Sequence, residues 1–285
     1  MPTCHLDNRA LFQLQGSEAE HFLQNVITND LSALKDGECR PSALLTPQGK
    51  ILFDFLISRA GSDAFRIECR ADIAADLVKR LTLYKLRAKV DISEIEQRTI
   101  AISWQNDSAS SEKVSTLTDC RFPADLNMRR YYGETPEADS ASKHLDELRI
   151  ATAVAESGSD FALGDAFPHD VLYDQNGGIG LKKGCFVGQE VVSRMHHRGT
   201  ARRRLLIVSG ASALPASGTE LRADGKPLGT LGTVSGPRAL TIVRIDRVKD
   251  AMDAGIPVMA GDIPVTFAIP QWAGFSFPAS TESAG

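Results

Sequence analysis

Residues 178–204 read GIGLKKGCFVGQEVVSRMHHRGTARRR, the densest cluster of reactive and charged side chains in the chain. Cys185 follows Lys182, Lys183 and Gly184, and nearby positive charge favours a thiolate over a thiol. A helix that begins near Gly188 would add the positive end of its dipole to this effect. The pattern indicates either a reactive thiol, acting as nucleophile, metal ligand or redox centre, or a small buried core residue.

The second half of this stretch leaves several alternatives open. Glu190 either pairs with a lysine and orients a ligand, or is a solvated helix residue. His196 and His197 are adjacent, so their side chains point in different directions, and we predict no metal site there. Arg198 and the arginines at 202–204 indicate either a site for a phosphate or polycarboxylate, or a solvated strand edge. Contact with an RNA backbone is disfavoured, because no aromatic residues are interleaved with the arginines.

Composition places the chain among ordinary globular proteins. It has 285 residues, which predicts two or three domains, and 42% of them are hydrophobic. The net charge of −4 argues against a non-specific nucleic-acid binder, which is usually basic. No apolar run approaches the length of a membrane span, so we expect no membrane partner.

Cysteine usage indicates a reducing compartment. The five cysteines are odd in number and widely spaced, without a CxxC pair, which argues against a disulfide framework and a zinc cluster. The first 16 residues show neither a signal-peptide nor a transit-peptide pattern, so we expect a cytoplasmic protein. No motif surrounds four of the cysteines, and they receive no role: Cys4, Cys39, Cys69 and Cys120.

Strand and helix patterns are mixed in the first half of the chain, which favours an α+β fold over a regular βαβ series. Ser17 and Glu20 form a capping-box pattern that predicts a helix from Ser17 to about Ile27. Two further helices are predicted at 72–83 and 145–155. The predicted strands are 9–15, 43–46, 51–58, 65–69, 90–95 and 99–104.

The second half begins with polar segments and ends in short strands. Residues 105–115 and 134–145 are predicted loops, and 157–180 is a long connection of the kind that often carries function. Residues 203–270 predict a small β-barrel or sandwich without a helix. Its predicted strands are 205–208, 219–223, 228–234, 239–245, 257–259 and 263–267.

The motif at residues 183–190, KGCFVGQE, resembles the K-G-C-[FY]-x-G-Q-E signature of the YgfZ-type family. That family comprises folate-binding proteins of iron–sulfur cluster maintenance and is related to the glycine-cleavage T-protein, an aminomethyltransferase. The resemblance covers most of the chain apart from 105–145. Further similar segments are 16–31, 46–57, 83–92, Glu156 to Gly158, Arg198-Gly199 and Arg203-Arg204.

The resemblance implies a fold class and a division into domains. The expected fold is α+β, with two α+β modules of the T-protein/YgfZ type and a C-terminal β-barrel, arranged around a folate-sized opening. The expected boundaries are 1–95 for the first module, 96–200 for the module that ends with the motif, 201–275 for the barrel and 276–285 for a flexible tail.

The resemblance also implies roles for particular residues toward tetrahydrofolate or a derivative. Glu156 is in the position of an acidic residue that hydrogen-bonds the pterin, whose paired donors suit a carboxylate. Arg203 or Arg204 would hold the glutamate tail through bidentate contacts, and Tyr84 would line the ring pocket. Gln189 and Glu190 complete the expected cofactor-binding set.

Cys185, Lys183 and Asp54 are the expected catalytic or functional residues. We hypothesise a tetrahydrofolate-binding protein of iron–sulfur cluster assembly or repair, with Cys185 as its thiol and assembly or client proteins as partners. The alternative is a folate-dependent aminomethyltransferase, so enzymatic activity stays open. Where the T-protein has two adjacent acids, this chain has Phe53 and Asp54, which puts aminomethyl transfer in doubt. An accessory role in RNA modification is a third hypothesis.

Overall fold

The computed structural model describes residues 2–95, 99–105, 116–139, 142–199 and 201–278. Internal contacts divide the chain into two compact units. Unit 1 comprises Met1–Ser142 and Asn176–Val191, and unit 2 comprises Lys143–Gln175 and Val192–Gly285. These units do not follow the expected boundaries at 95 and 200, and the three-module division stays a prediction. Most of the predicted loop at 105–115 and of the tail at 276–285 lies outside the described residues.

Among the described residues of unit 1, nine strands form one mixed sheet in the order β1-β7-β9-β8-β3-β4-β5-β2-β6. All pairs are antiparallel except β3 with β8. The strands are β1 (Thr3–His5), β2 (Arg9–Gln15), β3 (Glu38–Leu45), β4 (Ile51–Gly61), β5 (Ala64–Arg70), β6 (Asp91–Glu94), β7 (Ile100–Ser103), β8 (Thr116–Asp119) and β9 (Arg129–Tyr132). The helices are α1 (Ala19–Val26) and α2 (Ala71–Lys85), with short 3-10 turns at Leu31–Ala33 and Ala124–Leu126.

The core of unit 1 forms where the apolar faces of α1 and α2 pack on the sheet. Phe12 and Leu14 alternate inward along β2, and Phe22 and Leu23 cover them from α1. The predicted N-cap at Ser17 is wrong, because α1 begins at Ala19 and Glu18 is the capping residue, without a side-chain cap. The Glu18 carboxylate instead accepts a hydrogen bond from the backbone N–H of Lys89 at 2.7 Å.

A network of buried charges crosses the sheet of unit 1. Glu68 on β5 accepts hydrogen bonds from the guanidinium groups of Arg9 at 2.7 Å and Arg130 at 2.8 Å. Arg130 also donates to Asp119 at 3.1 Å, and Arg121 donates to the same carboxylate at 2.8 Å. Glu68, Asp119 and Arg130 are each 1% exposed, so the pairs are desolvated and their hydrogen bonds must satisfy every charge.

In the part of unit 2 that the structure describes, six strands form a closed barrel in the order β10-β13-β12-β11-β14-β15. They are β10 (Arg203–Gly210), β11 (Glu220–Ala223), β12 (Lys226–Ser235), β13 (Arg238–Arg244), β14 (Val258–Ala260) and β15 (Ile263–Ala268). Closure leaves no strand edge of the barrel unpaired. The unit also contains α3 (Ser142–Thr152) from residue 143 on, most of α4 (Gln189–Arg198), and α5 (Ile245–Asp253).

Helix α5 overturns the expectation that the C-terminal region contains no helix. The strand predicted at 239–245 ends at Arg244, and α5 starts at the next residue. Ile245, Val248 and Ala251 lie on one face of α5 and are buried in the barrel core. In β13 every second residue faces the core, and in α5, which follows directly, every third residue does. The change from strand to helix is therefore set by packing in the barrel and has no turn residue to mark it.

The connection at 157–180 contains turns and bends and a single bridge between Ser157 and Phe161. It is ordered by hydrogen bonds within each unit. None of the helices among the described residues is both long and apolar enough to cross a membrane.

Candidate functional site

Lys183, the first residue of the motif, is a buried anchor of unit 1. It is 9% exposed, and its ammonium group donates to the backbone carbonyls of Ile27 and Asn29, each at 2.7 Å. The ring of Phe186 lies 5.1 Å from the ammonium nitrogen. Burial lowers the pKa of Lys183 to about 8, and the nearby charge of Asp30 opposes that shift. The donors of Lys183 are therefore directed at the loop after α1.

The same loop makes three more hydrogen bonds to the residues before the motif. The backbone N–H of Gly180 donates to the carbonyl of Thr28 at 2.8 Å, and the Thr28 hydroxyl donates to the carbonyl of Gly178 at 2.7 Å. The Asn29 side-chain amide donates to the carbonyl of Gly177 at 2.8 Å. Residues 177–183 are therefore fixed to the loop at 27–30, although about 150 residues separate them in sequence.

On its other side the motif packs against the turn between β3 and β4. Gly188 has φ +77°, and a Cβ there would lie 2.5 Å from the carbonyl oxygen of Thr46. Gly49 in the turn has φ +80°, and its Cβ would lie 2.9 Å from that of Val191. Both positions therefore require glycine, for the backbone conformation and for the close approach of the two segments.

Cys185 is the exposed residue between these two anchored ends. Lys183 and Phe186 on either side are buried, and the Gln189 side chain accepts from the backbone N–H of Phe186 at 3.3 Å. Glu190 lies exposed in the first turn of α4. The alternative that Cys185 is a buried core residue is therefore wrong, and its thiol is presented to solvent on a segment with little freedom.

The other four cysteines differ from Cys185 in their surroundings. Cys4, Cys39 and Cys69 are buried, and Cys120 is half-buried. Burial raises the pKa of Cys69 to about 12 and that of Cys120 to about 11. The thiols of Cys69 and Cys120 are therefore held in the protonated form, which is a poor nucleophile and a poor metal ligand.

Asp54 and Tyr84 also belong to unit 1. Asp54 lies half-buried on β4 opposite Ala43, and its neighbour Phe53 points into the core. Tyr84 is in the last turn of α2 and packs partly against the same core. Their expected roles toward a folate stay predictions.

Glu156 lies in unit 2, next to a buried arginine. Its backbone N–H donates to the Asp160 carboxylate at 2.8 Å, and Asp160 also pairs with Arg149 of α3. Burial lowers the pKa of Arg149, but the charges of Glu156, Asp160 and Asp146 outweigh burial and raise it overall. Glu156 thus contributes a negative charge that stabilises the buried guanidinium group of Arg149.

Arg203 and Arg204 are adjacent on β10 but differ in environment. Arg203 is 39% exposed at its side chain and lies 3.1 Å from Asp165. Arg204 is buried and donates to the carbonyl of His169 at 2.9 Å and to Asp174 at 2.7 Å. Of the two, Arg203 has the accessible donors that an incoming carboxylate would need.

Thr28 and Asn29 position the candidate site, and the sequence alone assigned no role to them. Both residues lie in the segment 16–31 of the resemblance, but their link to the motif depends on contacts between segments that are distant in sequence. Both residues are buried and position the segment that carries Cys185.

Two family models match this chain. Residues 4–121 match the GCVT N-terminal domain, and residues 202–275 match the CAF17 C-terminal β-barrel domain. In a comparison of structures, the glycine-cleavage aminomethyltransferase T from Bartonella henselae superimposes with a TM-score of 0.72. The match covers 95% of this chain and 86% of that one at 16% identity, which shows a shared fold.

Curated relatives are named as iron–sulfur cluster assembly factors. The mitochondrial IBA57 homolog of Neurospora crassa is 32% identical over 250 residues, covering 77% of this chain. This chain spans only 56% of that relative's length. Mitochondrial IBA57 of Mus musculus is 28% identical over 306 residues, covering 95% of this chain and 85% of the relative.

The predicted cytoplasmic location is wrong by this comparison, because these relatives are all described as mitochondrial. The argument from cysteine usage excludes oxidising compartments only. It does not distinguish the cytoplasm from another reducing compartment.

The predicted fold class is confirmed: the chain is an α+β protein with a mixed sheet and a closed six-stranded barrel among its described residues.

Proposed function

We propose that this protein acts in the assembly or repair of iron–sulfur clusters, in the manner of the YgfZ-type family, with Cys185 as its functional thiol. The observation that carries the proposal is the exposure of Cys185 on a segment fixed by Lys183 and Gly188. The names of the curated relatives support the same role.

A single thiolate suits transient ligation of iron or of a cluster. Cysteine thiolates are the usual ligands of iron–sulfur clusters, but a complete site takes about four of them. The remaining ligands would come from a second copy of the chain or from an assembly or client protein. Because the segment around Cys185 is already ordered, little conformational entropy is lost when that partner binds.

The thiol role is tested with two matched cysteine variants in cells that lack the natural gene for this protein. Cys185→Ser should fail to restore the activity of iron–sulfur enzymes, whereas Cys120→Ser should restore it. Protein levels are compared by immunoblot, so that loss of folding is recognised. Full restoration by Cys185→Ser would show that the thiol has no role.

We further propose that tetrahydrofolate or a derivative binds to this protein. Support comes from the GCVT domain match and from the similarity of fold to an aminomethyltransferase. Glu156 would accept from the paired donors of a pterin, and Arg203 would pair with the glutamate tail. Tyr84, Arg204, Gln189 and Glu190 complete the expected set.

Intrinsic fluorescence provides the test of folate binding. Trp272 reports on unit 2, since its indole N–H donates to the carbonyl of Thr152 at 2.8 Å, close to Glu156 in sequence. Titration with tetrahydrofolate should give a saturable change that Glu156→Gln weakens and that Glu147→Gln, an exposed change on α3, leaves intact. No binding by the unaltered protein would refute this part of the proposal and leave the thiol role standing.

Aminomethyl transfer is the second candidate function, favoured by the retained carboxylate of Asp54 on β4 within the GCVT match. A carboxylate near a folate amine can assist proton transfer. Assays for formaldehyde or methylene-tetrahydrofolate with small amine substrates test it. Turnover that Asp54→Asn abolishes would support an enzyme, and an absence of turnover would leave the assembly role alone.

A further inference from the structure

His169 is a buried histidine with no hydrogen bond to either ring nitrogen within the part of the chain that the structure describes. The residue is 1% exposed and lies in the connection at 157–180. A buried polar group without a partner costs about 1–3 kcal/mol, so such groups are rare in folded proteins. The lack of a partner for both ring nitrogens of His169 therefore suggests a bound ligand that supplies the missing contact.

A carboxylate and a second imidazole lie next to His169 in unit 2. One ligand atom each from His169, Asp174 and His196 lie within 4.8 Å of one another. His196 is on α4 and exposed, whereas Asp174 is half-buried and His169 buried. Two imidazoles and one carboxylate form a common donor set for divalent zinc and iron, with positions left for water or substrate.

The geometry requires only a small adjustment to accept an ion. Metal–ligand bonds of ~2.0–2.1 Å place tetrahedral ligand atoms roughly 3.4 Å apart. The ligand atoms of His169, Asp174 and His196 lie within 4.8 Å of one another, so they would have to approach by no more than about 1.4 Å.

Asp174 is already oriented by two hydrogen bonds. It accepts from the guanidinium of Arg204 at 2.7 Å and from the side-chain amide of Gln175 at 2.8 Å. Ligating carboxylates are commonly held by such outer partners. The positive charge of Arg204 disfavours cations that are bound by charge alone, such as Mg²⁺, and leaves imidazole coordination as the main source of affinity.

We propose that His169, Asp174 and His196 bind a divalent first-row transition-metal ion. This site is distinct from the Cys185 thiol in its residues and does not depend on the proposed role in cluster assembly. The sequence analysis predicted no metal site at His196 and His197, because adjacent side chains point in different directions. In the structure the partner of His196 is instead His169, from a different segment, with the two ring centroids 6.1 Å apart.

Zn²⁺ binding to the purified, chelator-treated protein tests the site by titration calorimetry. All proteins carry Cys185→Ser, so that the exposed thiol does not contribute. The parent and His197→Ala, which removes the adjacent histidine outside the trio, should each bind one equivalent of Zn²⁺. His196→Ala and His169→Leu should weaken binding by more than the roughly 10–100-fold that loss of an outer partner costs.

Thermal denaturation with and without Zn²⁺ gives an independent readout, since a ligand that binds the folded state raises its melting temperature. The parent and His197→Ala should be stabilised by Zn²⁺, and His196→Ala should not. His196 is exposed, so this variant is expected to fold, and His169→Leu removes the unpartnered polar group from the interior. Equal Zn²⁺ binding by all four proteins, or no binding by the parent, would overturn the proposal.

Discussion

The ammonium nitrogen of Lys183 lies 2.7 Å from the carbonyl oxygen of Asn29, so the residue two positions before Cys185 is bonded to the loop after α1. A second bond of the same length joins it to the carbonyl of Ile27. These two hydrogen bonds hold the backbone near Cys185 against the loop at 27–30.

Replacing Lys183 with Met should destabilise the protein. The change keeps the length of the side chain but leaves two carbonyls without their charged donor, at an expected loss of about 2–4 kcal/mol in the free energy of unfolding. Urea denaturation of Lys183→Met and of Lys182→Met, whose lysine is exposed, provides the comparison. Equal midpoints for the two variants would refute the anchoring role.

Gly188→Ala should be far more costly than Gly184→Ala. An alanine at 188 would have to adopt φ +77° and place its Cβ 2.5 Å from the Thr46 carbonyl oxygen, whereas a Cβ at 184 meets nothing within 4 Å. We expect Gly188→Ala to lower the free energy of unfolding by about 1–3 kcal/mol from backbone strain, and by more if the clash with Thr46 is not relieved. For Gly184→Ala we expect a change within about 1 kcal/mol. Denaturation midpoints of the two variants check this, and a tolerated Gly188→Ala would contradict the packing described.

Stability should decline below pH 4 because of Asp119. Burial raises the pKa of this carboxyl, but Arg121 and Arg130 outweigh burial and hold it at about 2. Its folded-state pKa lies below the unfolded value, so its contribution is complete above pH 4 and is lost as pH falls through 2. The loss is about 2 kcal/mol.

Unfolding free energies measured between pH 5 and 2 check this dependence. Asp119→Asn should be less stable at neutral pH and should lack this part of the acid-dependent loss. Asp125→Asn, an exposed control, should follow the unaltered protein. Identical pH profiles for Asp119→Asn and the unaltered protein would contradict the assignment.

Arg149→Met should destabilise unit 2 strongly. The side chain is 4% exposed and pairs with Asp146 and Asp160, so its removal leaves the buried carboxylate of Asp160 without its positively charged partner. Breaking such a buried pair costs about 3–5 kcal/mol. The comparison is Arg222→Met, which removes an exposed pair with Glu220 and should cost less than about 1 kcal/mol in thermal denaturation.

Local patterns in the sequence predicted most of the strands and helices, because their periods follow from burial of one face. The strands predicted at 9–15, 43–46 and 51–58 occur where they were expected. The start of α1 and the presence of α5 were missed, since each depends on packing against residues that are distant in sequence.

The candidate site was predictable in part. The motif drew attention to Cys185, and the structure adds its exposure. Lys183 is anchored by Ile27 and Asn29, which are 156 and 154 positions away in sequence. No pattern of neighbouring residues could have predicted these contacts. The proximity of His169 and His196 could not be predicted either. Sequence spacing predicts that two side chains lie close together only when both belong to the same helix or strand.

The division of unit 1 into two stretches has a consequence during synthesis on the ribosome. Residues 1–142 leave the ribosome first, but the stretch at 176–191 follows only after another 33 residues, 143–175, have been made. At translation rates of ~5–20 residues per second, that delay lasts roughly 2–7 s. During this interval the carbonyls of Ile27 and Asn29 lack the ammonium donor of Lys183, so the loop after α1 reaches its final hydrogen bonding only after the second stretch of unit 1 has been made.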